Sequence, residues 1–276
     1  MKFLGLTWII TCLVFVLVLV NIVDANASRR PFKTQLNALT IVMAPLNVMT
    51  HLGTPQWLTA SLATSGILRH PSPLLFPNVE TLRAAYPIIR QEALAAVEAS
   101  KSIQRDMFFT TIADDGWKRF YIKWYGPPDP LAVKTCPRTV ELLQTMPEVH
   151  LGMFSILLPG SRIPHHFGPA RMCLRYHMGI SVPAPGKDCF IVVRGDQYHW
   201  RDGEDVMFDD TMTHHVANNS DQTRVVLFLD IERPQTPFFK PLTRAVIQNI
   251  GPLTTRANDD NEQREQPTQH PDKIQS

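Results

Sequence analysis

The sequence has 276 residues, of which 44% are hydrophobic and 19% charged, and its formal net charge is +2. This ordinary globular composition has no basic surplus, so we expect no nucleic-acid partner. The four cysteines show no CxxC spacing and do not form a convincing disulfide framework, which favours a reducing compartment.

The first predicted element is an apolar helix. Phe3–Val23 contains 21 residues without a charge, enough to cross a hydrocarbon core of about 30 Å. We therefore predict a transmembrane anchor over residues 1–27. Because Arg29, Arg30 and Lys33 follow the apolar run, the positive-inside tendency places the rest of the chain in the cytoplasm. The expected location is the inner (cytoplasmic) membrane, with a single span.

A cleaved signal peptide is the alternative for this segment. Ala25 and Ala27 form a small-x-small pattern of the kind that precedes cleavage. A signal peptide, however, has an apolar region of about 7–15 residues behind a basic start. Here the run is longer and only Lys2 precedes it, so the anchor is favoured.

Residues 28–80 are predicted as a juxtamembrane and linker segment. Within them, Ala38–Leu52 is apolar but too short for an easy span, so we expect it to pack on the domain or lie at the membrane interface. Residues 66–78 are rich in proline and resemble a loop. From Tyr86 to Ala99, apolar residues recur at helical spacing, which predicts a helix that covers a sheet.

Short strand-like runs begin near Trp117 and are separated by turn sequences such as GPPDP, PGS, APGKD and RDGED. The runs are KRFYIKWY, MFSILL, CLRYHMGISV, CFIVVRG, DVMFDD and RVVLFLDIE. Many strands with little helix between them predict a mainly β domain, an antiparallel sandwich or barrel, over residues 81–253. Residues 254–276 lack a hydrophobic period, which predicts a disordered tail.

Polar nitrogen is concentrated in one predicted strand, RMCLRYHMG. Alternate residues of a strand share a face, so Arg175 and His177 point to one side while Leu174 and Tyr176 point to the other. A buried arginine and histidine require acceptors, because burying unpaired polar groups is costly. The pattern therefore indicates an interior that holds a polar ligand.

Two histidine pairs flank this strand, His165–His166 before it and His214–His215 after it. At most one member of each pair faces a given site, since neighbouring strand residues point in opposite directions. One imidazole from each pair could bind a shared metal, as in non-haem Fe(II) oxygenases with two histidines and a carboxylate. The usual carboxylate two residues after the first histidine is replaced by Gly168, so ordinary surface or core histidines remain the alternative.

Arg224 opens the last predicted strand. A planar guanidinium binds a carboxylate through two parallel hydrogen bonds, so a buried one suits an acidic ligand. The alternative is a salt bridge to Asp221 or Asp230.

These segments together resemble the aspartyl/asparaginyl β-hydroxylase family of Fe(II)- and 2-oxoglutarate-dependent oxygenases. The resemblance runs through SILLPGSRIPHHFGPARMCLRYHMGISVP and WRDGEDVMFDDTMTHHVANNSDQTRVVLFLDIERP. The apolar N-terminal segment and the stretches MAPLNV, GWKRFYIKWYG and CPRTVELLQTMPEV add a likeness to the membrane-anchored bacterial lipid A hydroxylases. The family fold that this implies is a double-stranded β-helix, or jelly roll, with flanking helices.

The resemblance also implies roles for individual residues. It places the iron ligands at His166 and His214, and the partner of the 2-oxoglutarate carboxylate at Arg224. Ser155, Arg175 and His177 fall where the family lines the co-substrate site, whereas His165 and His215 would not be ligands. The implied cofactor set is Fe(II), 2-oxoglutarate and O2, and the implied partner is lipid A or a related acylated lipid.

The sequence leaves three functional hypotheses open. The first is hydroxylation of the 2-position of a secondary acyl chain of lipid A at the cytoplasmic membrane face. The second is peptidyl aspartyl or asparaginyl hydroxylation, which Gly168 favours because the peptidyl hydroxylases of the family also have glycine there. The third is a non-catalytic β-helix binding module, against which the joint presence of His166, His214 and Arg224 argues. Halide-using relatives of the superfamily also lack the acid, so halogenation stays open.

Overall fold

The structure is a computed structural model that describes residues 38–99, 116–183 and 188–249. The predicted anchor over residues 1–27 and the predicted tail over residues 254–276 lie outside these ranges. Within the described ranges, no helix combines the length and apolar character that a membrane crossing requires.

Ten strands of the described residues form two antiparallel sheets. The larger sheet has the order β1-β8-β5-β10-β3-β2, and the smaller has the order β4-β9-β6-β7. The strands are β1 (Ile67–Arg69), β2 (Trp117–Trp124), β3 (Val149–Leu157), β4 (Arg162–His166), β5 (Cys173–Ser181), β6 (Cys189–Val193), β7 (Asp196–Tyr198), β8 (Asp205–Phe208), β9 (His214–Asn218) and β10 (Arg224–Glu232).

The last eight strands, β3 to β10, form a jelly roll. Four of them, in the order β8-β5-β10-β3, lie in the larger sheet, and the other four make up the whole smaller sheet. Eight strands divided between two sheets with this connectivity form a double-stranded β-helix. The predicted mainly β fold is therefore confirmed, with β1 and β2 added at the two edges of the larger sheet.

Seven helices are described. They are α1 (Ala38–Gly53), α2 (Gln56–Thr64), α3 (Val79–Ala84), α4 (Tyr86–Ala99), α5 (Pro130–Thr135), α6 (Pro137–Gln144) and α7 (residues 240–249). Of these, α2 to α6 cover the outer face of the larger sheet, while α1 and α7 pack on a separate cluster with Met172 and Cys173. Helix α4 has the bounds predicted from its apolar spacing. Its Ile89 and Ala93 share one buried cluster with Leu174 and Tyr176 of β5, because both elements turn their apolar faces toward each other.

In the segment predicted as a juxtamembrane and linker region, residues 28–80, the described part from residue 38 onward contributes to this core. Leu58 and Leu62 of α2 lie in the cluster under the helices, and β1 pairs with β8. The sequence does not signal β1, because three residues within a proline-rich stretch are too short to show a period of two. Strands β4, β7 and β9 were also not predicted, since RIPHH, DQY and HHVAN are short and lack a run of apolar residues.

Alternation along β5 and β10 separates the outer core from the interior between the sheets. Leu174, Tyr176 and Met178 of β5 pack under the helices, while Arg175 and His177 point inward. In β10, the inward residues are Arg224, Val226, Phe228 and Asp230, because Val225, Leu227, Leu229 and Ile231 belong to the outer cluster. The interior of the jelly roll is therefore polar and aromatic at these positions, as the sequence of β5 predicted.

Candidate active site

His166 and His214 face each other across the smaller sheet. They are partners in the β4–β9 ladder, and their ring centroids are 4.1 Å apart. His166 Nδ1 lies 2.8 Å from the carbonyl of Pro164, and His214 Nδ1 lies 2.8 Å from the carbonyl of Met212. A carbonyl oxygen only accepts, so each Nδ1 carries the proton and each Nε2 keeps its lone pair.

Both imidazoles are neutral at pH 7. Burial, helped by the neighbouring His214, lowers the pKa of His166 to about 4. Burial also lowers the pKa of His214, although the nearby carboxylate of Asp210 opposes the shift. Neutral imidazole is the form that binds a metal, so the pair is suited to this purpose without losing a proton.

The neighbouring histidines form a separate pair. The rings of His165 and His215 lie 4.0 Å apart, and His215 also contacts Phe190. Because adjacent strand residues point to opposite faces, this second pair lies on the outer face of the smaller sheet. The geometry thus selects one histidine from each doublet.

Asp210 is a site residue that the sequence analysis missed. Its Oδ1 lies 3.4 Å from His214 Nε2, and its Oδ2 accepts a 3.0 Å hydrogen bond from Arg175 Nη2. Gly168 is packed so closely against it that a Cβ at this position would overlap the carboxylate. Asp210 therefore fills the space beside the two imidazoles that a carboxylate at residue 168 would need. The available signal was an acid four residues before His214, in the loop between β8 and β9.

The pKa of Asp210 is lowered, which keeps it ionised. Burial alone would raise this pKa, but the neighbouring charge of Arg175 is the largest of the effects that lower it. Among the described residues, no group of three or more histidine, cysteine, aspartate and glutamate side chains has the arrangement of a metal site. The protein ligands that the described part offers are thus the two imidazoles, with Asp210 next to them.

Arg175 is held between two carboxylates. Its Nε lies 2.7 Å from Asp230 Oδ1, and its guanidinium also stands over the ring of Phe228 at 4.0 Å. The hydroxyl of Tyr125 donates a 2.7 Å hydrogen bond to the other oxygen of Asp230. The charge of Arg175 is therefore already compensated by Asp210 and Asp230. Arg175 also orients Asp210, in addition to the role at the co-substrate that the resemblance predicts for it.

A buried ion pair supports the loop that carries Asp210 and His214. Asp209 lies 2.6 Å from Arg233, and both side chains are almost fully buried. Asp209 Oδ1 accepts hydrogen bonds from the backbone and hydroxyl of Thr211, which closes a tight turn. The turn fixes the direction in which Asp210 and His214 enter the interior.

His177 lies at the centre of the interior. Its ring contacts Phe208, Phe228 and Trp200 at centroid distances between 5.0 and 5.9 Å. Neither ring nitrogen has a hydrogen-bond partner among the described residues. Burial holds its pKa well below the usual value, and the charge of Arg224, that of Arg175, and His214 lower it further. All three groups therefore surround the same interior.

Arg224 is a buried cation without a counter-ion in the described part of the chain. Its side chain is 1% exposed and stands 4.9 Å from the ring of Trp200. Its Nε and Nη2 have no hydrogen-bond partner among the described residues. Burial lowers its pKa to about 10, and no described carboxylate offsets this effect. The alternative of a salt bridge to Asp230 is not observed, because Asp230 is bound to Arg175.

Ser155 completes the predicted set. It lies on the inner face of β3, next to Val226 of β10, and its hydroxyl accepts a 2.9 Å hydrogen bond from the indole of Trp117. The hydroxyl proton of Ser155 is thereby left for another acceptor. This bond directs the indole N–H of Trp117 toward Ser155 on the inner face of β3.

The donor set matches a divalent metal with a dicarboxylate. Two neutral imidazoles with free Nε2 atoms suit a metal ion, and an unpaired buried guanidinium on the same interior suits a carboxylate. The ring of His177 contacts Phe208, which also contacts His214, and Trp200, over which Arg224 stands. His166, His214, Arg175, His177, Arg224 and Ser155 are thus all brought to one interior.

The sequence of this chain is similar to a known protein family and to several characterised proteins. A sequence model of the aspartyl/asparaginyl β-hydroxylase family matches residues 83–234. The ornithine lipid ester-linked acyl 2-hydroxylase of Rhizobium tropici is 34% identical over 165 residues, which cover 58% of this chain and 58% of that protein. The human aspartyl/asparaginyl β-hydroxylase is 28% identical over 162 residues, which cover 57% of this chain and 21% of that protein.

The chain thus spans less than two thirds of the length of these relatives. Among solved structures, a prolyl hydroxylase from Trichoplax adhaerens is 14% identical with a TM-score of 0.42, covering 79% of this chain and 97% of that chain. A prolyl-4-hydroxylase from Pseudomonas putida is 16% identical with a TM-score of 0.40, covering 64% of this chain and 98% of that chain.

Proposed function

The chain belongs to the aspartyl/asparaginyl β-hydroxylase family, and from that premise we propose that it is an Fe(II)- and 2-oxoglutarate-dependent hydroxylase acting on an acyl chain of a membrane lipid. The first candidate substrate is the 2-position of a secondary acyl chain of lipid A. The reaction would take place at the cytoplasmic face of the inner membrane, where residues 1–27 would anchor the domain.

The observation that supports this proposal best is the unpaired guanidinium of Arg224. A fully buried cation without a counter-ion destabilises the folded state, and proteins rarely keep one without a ligand that compensates it. A dicarboxylate such as 2-oxoglutarate would supply the missing anion.

Different residues would bind the metal and the co-substrate. His166 and His214 would hold Fe(II) through their Nε2 atoms, and Arg224 would bind the far carboxylate of 2-oxoglutarate with a hydrogen bond from Ser155. Iron and 2-oxoglutarate, when bound, supply the oxygen activation that inserts one O2-derived oxygen into a C–H bond. Asp210, fixed by Arg175 and by the turn at Asp209, would orient polar groups next to the iron.

The lipid part of the proposal has two supports. The Rhizobium tropici relative hydroxylates the ester-linked acyl chain of a lipid, as its name states. The uncharged segment Phe3–Val23 is long enough to keep the domain at a bilayer. An ester-linked acyl chain is common to lipid A and to ornithine lipids, so both are candidates of one chemical class.

Mass spectrometry of lipids from a host that expresses the gene tests the proposal. We expect one added oxygen on the lipid A fraction, or on the ornithine lipid fraction in a host that makes this lipid. A host that expresses His214→Ala at the same level is the control and should give unmodified lipid. Unmodified lipid in both fractions from the unaltered protein would refute the lipid substrate.

Peptidyl aspartyl or asparaginyl hydroxylation is the second candidate. The human relative has this activity in its name, and Gly168 agrees with the glycine that the peptidyl hydroxylases have at this position. Incubation with aspartate- and asparagine-containing peptides, iron and 2-oxoglutarate separates the two candidates. A peptide that gains one oxygen together with unmodified lipid would favour the peptidyl activity.

A further inference from the structure

Helix α1 has an unusual surface for a helix at the outside of a domain. Its 16 residues, ALTIVMAPLNVMTHLG, include no lysine, arginine, aspartate or glutamate. The inner side packs on the domain, where Met43 contacts a cluster with Met172 and Ile247. On the open side, Val48 is 61% exposed and Leu52 is 66% exposed. A surface helix normally places charged residues on its open side, so α1 is not built to face water.

The exposed apolar surface continues beyond α1. The end of α1 is bound to the segment before α7, because Thr236 donates its backbone N–H to the carbonyl of Gly53. Phe239 is packed against Gly53, and the next side chain, Phe238, is 84% exposed. Leu242, one turn further, is also exposed. We call Val48, Leu52, Phe238 and Leu242 the apolar patch.

The helix that carries part of the apolar patch is bonded to the chain segment that follows His166. Asn47, next to Val48, donates to the carbonyl of Pro169 and accepts from the backbone N–H of Arg171, both at 2.8 Å. Pro169 and Arg171 follow His166 by only a few residues. Phe167, directly after His166, is exposed. Helix α1 therefore holds the segment that leads directly from a proposed iron ligand.

We propose that the apolar patch is the surface with which the domain docks on the lipid bilayer, so that the active site opens toward the acyl chains. This inference rests on the proposed function, since it specifies how the domain reaches a lipid substrate. Side chains such as Phe238 and Leu52 would enter the boundary between headgroups and acyl chains, as in helices that lie in the membrane interface.

The length and charge of the preceding chain favour a bilayer over other occupants. Residues 24–37, about 14 residues, connect the uncharged segment to α1 and can span at most about 50 Å. Helix α1 is thus the first described element after this connection. Arg29, Arg30 and Lys33 in this connection suit anionic headgroups, because basic side chains are attracted by the negative potential at such a surface. A second copy of the chain would bring like charges together instead.

Fluorescent labels on the full chain in lipid vesicles test the docking surface. Cys136, Cys173 and Cys189 are buried, so with Cys12→Ser a single new cysteine can carry an environment-sensitive dye. The test positions are Val48→Cys and Phe238→Cys. The control is Val133→Cys, because Val133 is 48% exposed and lies on α5, which packs against α4 and β2. The vesicles contain phosphatidylethanolamine and phosphatidylglycerol, with or without lipids that carry a nitroxide quencher near the headgroup.

The expected result is a blue-shifted emission at residues 48 and 238 that the lipid nitroxide quenches, with neither effect at residue 133. Water-like emission at residues 48 and 238, or failure of the chain to float with the vesicles, would overturn the docking surface. A blue shift that the lipid nitroxide does not quench would also overturn it, because protein would then cover the patch. The turnover of 2-oxoglutarate is measured on the same samples, so a failure of the hydroxylase proposal is seen independently of the label positions.

Discussion

The carboxylate of Asp210 occupies the space that a side chain at residue 168 would fill. The glycine and the aspartate are 42 positions apart by their numbers in the chain, and the backbone N–H of Gly168 donates a 2.7 Å hydrogen bond to the carbonyl of Asp210. Residue 168, two positions after His166, is not an acid, but the carboxylate of Asp210 enters the same space from the loop before β9.

The first prediction concerns the close contact between Gly168 and the carboxylate of Asp210. Gly168→Ala should lower turnover by about tenfold to a hundredfold, because the new Cβ displaces Asp210 from Arg175 and disturbs the geometry of the site. The double variant Gly168→Asp with Asp210→Gly should be more active than Gly168→Asp alone, since only one carboxylate then needs the space. Initial rates of succinate formation measure both effects. Gly126→Ala is the control, because its Cβ would have only an ordinary 3.5 Å contact; wild-type turnover of Gly168→Ala would contradict the argument.

The second prediction separates the two histidine pairs. His166→Ala and His214→Ala should abolish turnover and iron binding, because each removes an inward Nε2. The adjacent variants His165→Ala and His215→Ala should keep both within about threefold, since surface changes outside a site have small effects. Iron content after dialysis and succinate formation are measured on all four proteins. An equal loss of iron and turnover in the inward and outward histidine variants would show that the β4–β9 register does not determine which histidines bind the metal.

The third prediction concerns the uncompensated charge of Arg224. Arg224→Met should raise the free energy of unfolding of the ligand-free protein by about 1–3 kcal/mol, because an unsatisfied buried group is replaced by an apolar one. The same variant should lose the rise in melting temperature that 2-oxoglutarate causes in the unaltered protein.

Arg201→Met is the matched control for this test, because Arg201 is a solvent-exposed arginine. It should change neither the stability nor the response to 2-oxoglutarate. If Arg224→Met destabilised the ligand-free protein instead, Arg224 would have a structural partner and the assignment to 2-oxoglutarate would fail.

The fourth prediction concerns the stability of the ligand-free protein in acid. The pKa of His177 is held well below its ordinary value by burial and by Arg224 and Arg175. Between the folded and unfolded pKa values the unfolded chain binds the extra proton, so stability is complete above about pH 6.5 and falls as the pH decreases. His166, with a pKa of about 4, acts in the same direction.

Replacement of His177 by phenylalanine should therefore make the free energy of unfolding less dependent on pH below 6.5. The slope should decrease by up to about 1.4 kcal/mol per pH unit, the value for one proton. Urea unfolding at a series of pH values measures it. An unchanged slope would mean that His177 is not held neutral in the folded protein.

Local patterns in the sequence determined a large part of the architecture. The period of two in β5 predicted that Arg175 and His177 share an inward face, and the helical spacing from Tyr86 to Ala99 predicted α4. Both properties depend only on residues close in the chain, because strand and helix geometry assign a face to each position. The chemical character of the site was predictable for the same reason, since histidine and arginine that face an interior require polar partners.

Tertiary structure alone decided which groups meet. The strand pattern left two choices in each histidine doublet; the family resemblance indicated His166 and His214, and the β4–β9 register places these two opposite each other. The contact of Arg175 with Asp210 joins residues 35 positions apart. Asp230 binds Arg175 and therefore does not pair with Arg224, and the sequence could not predict this choice. Such relations depend on how separate strands and loops pack, which no local period encodes.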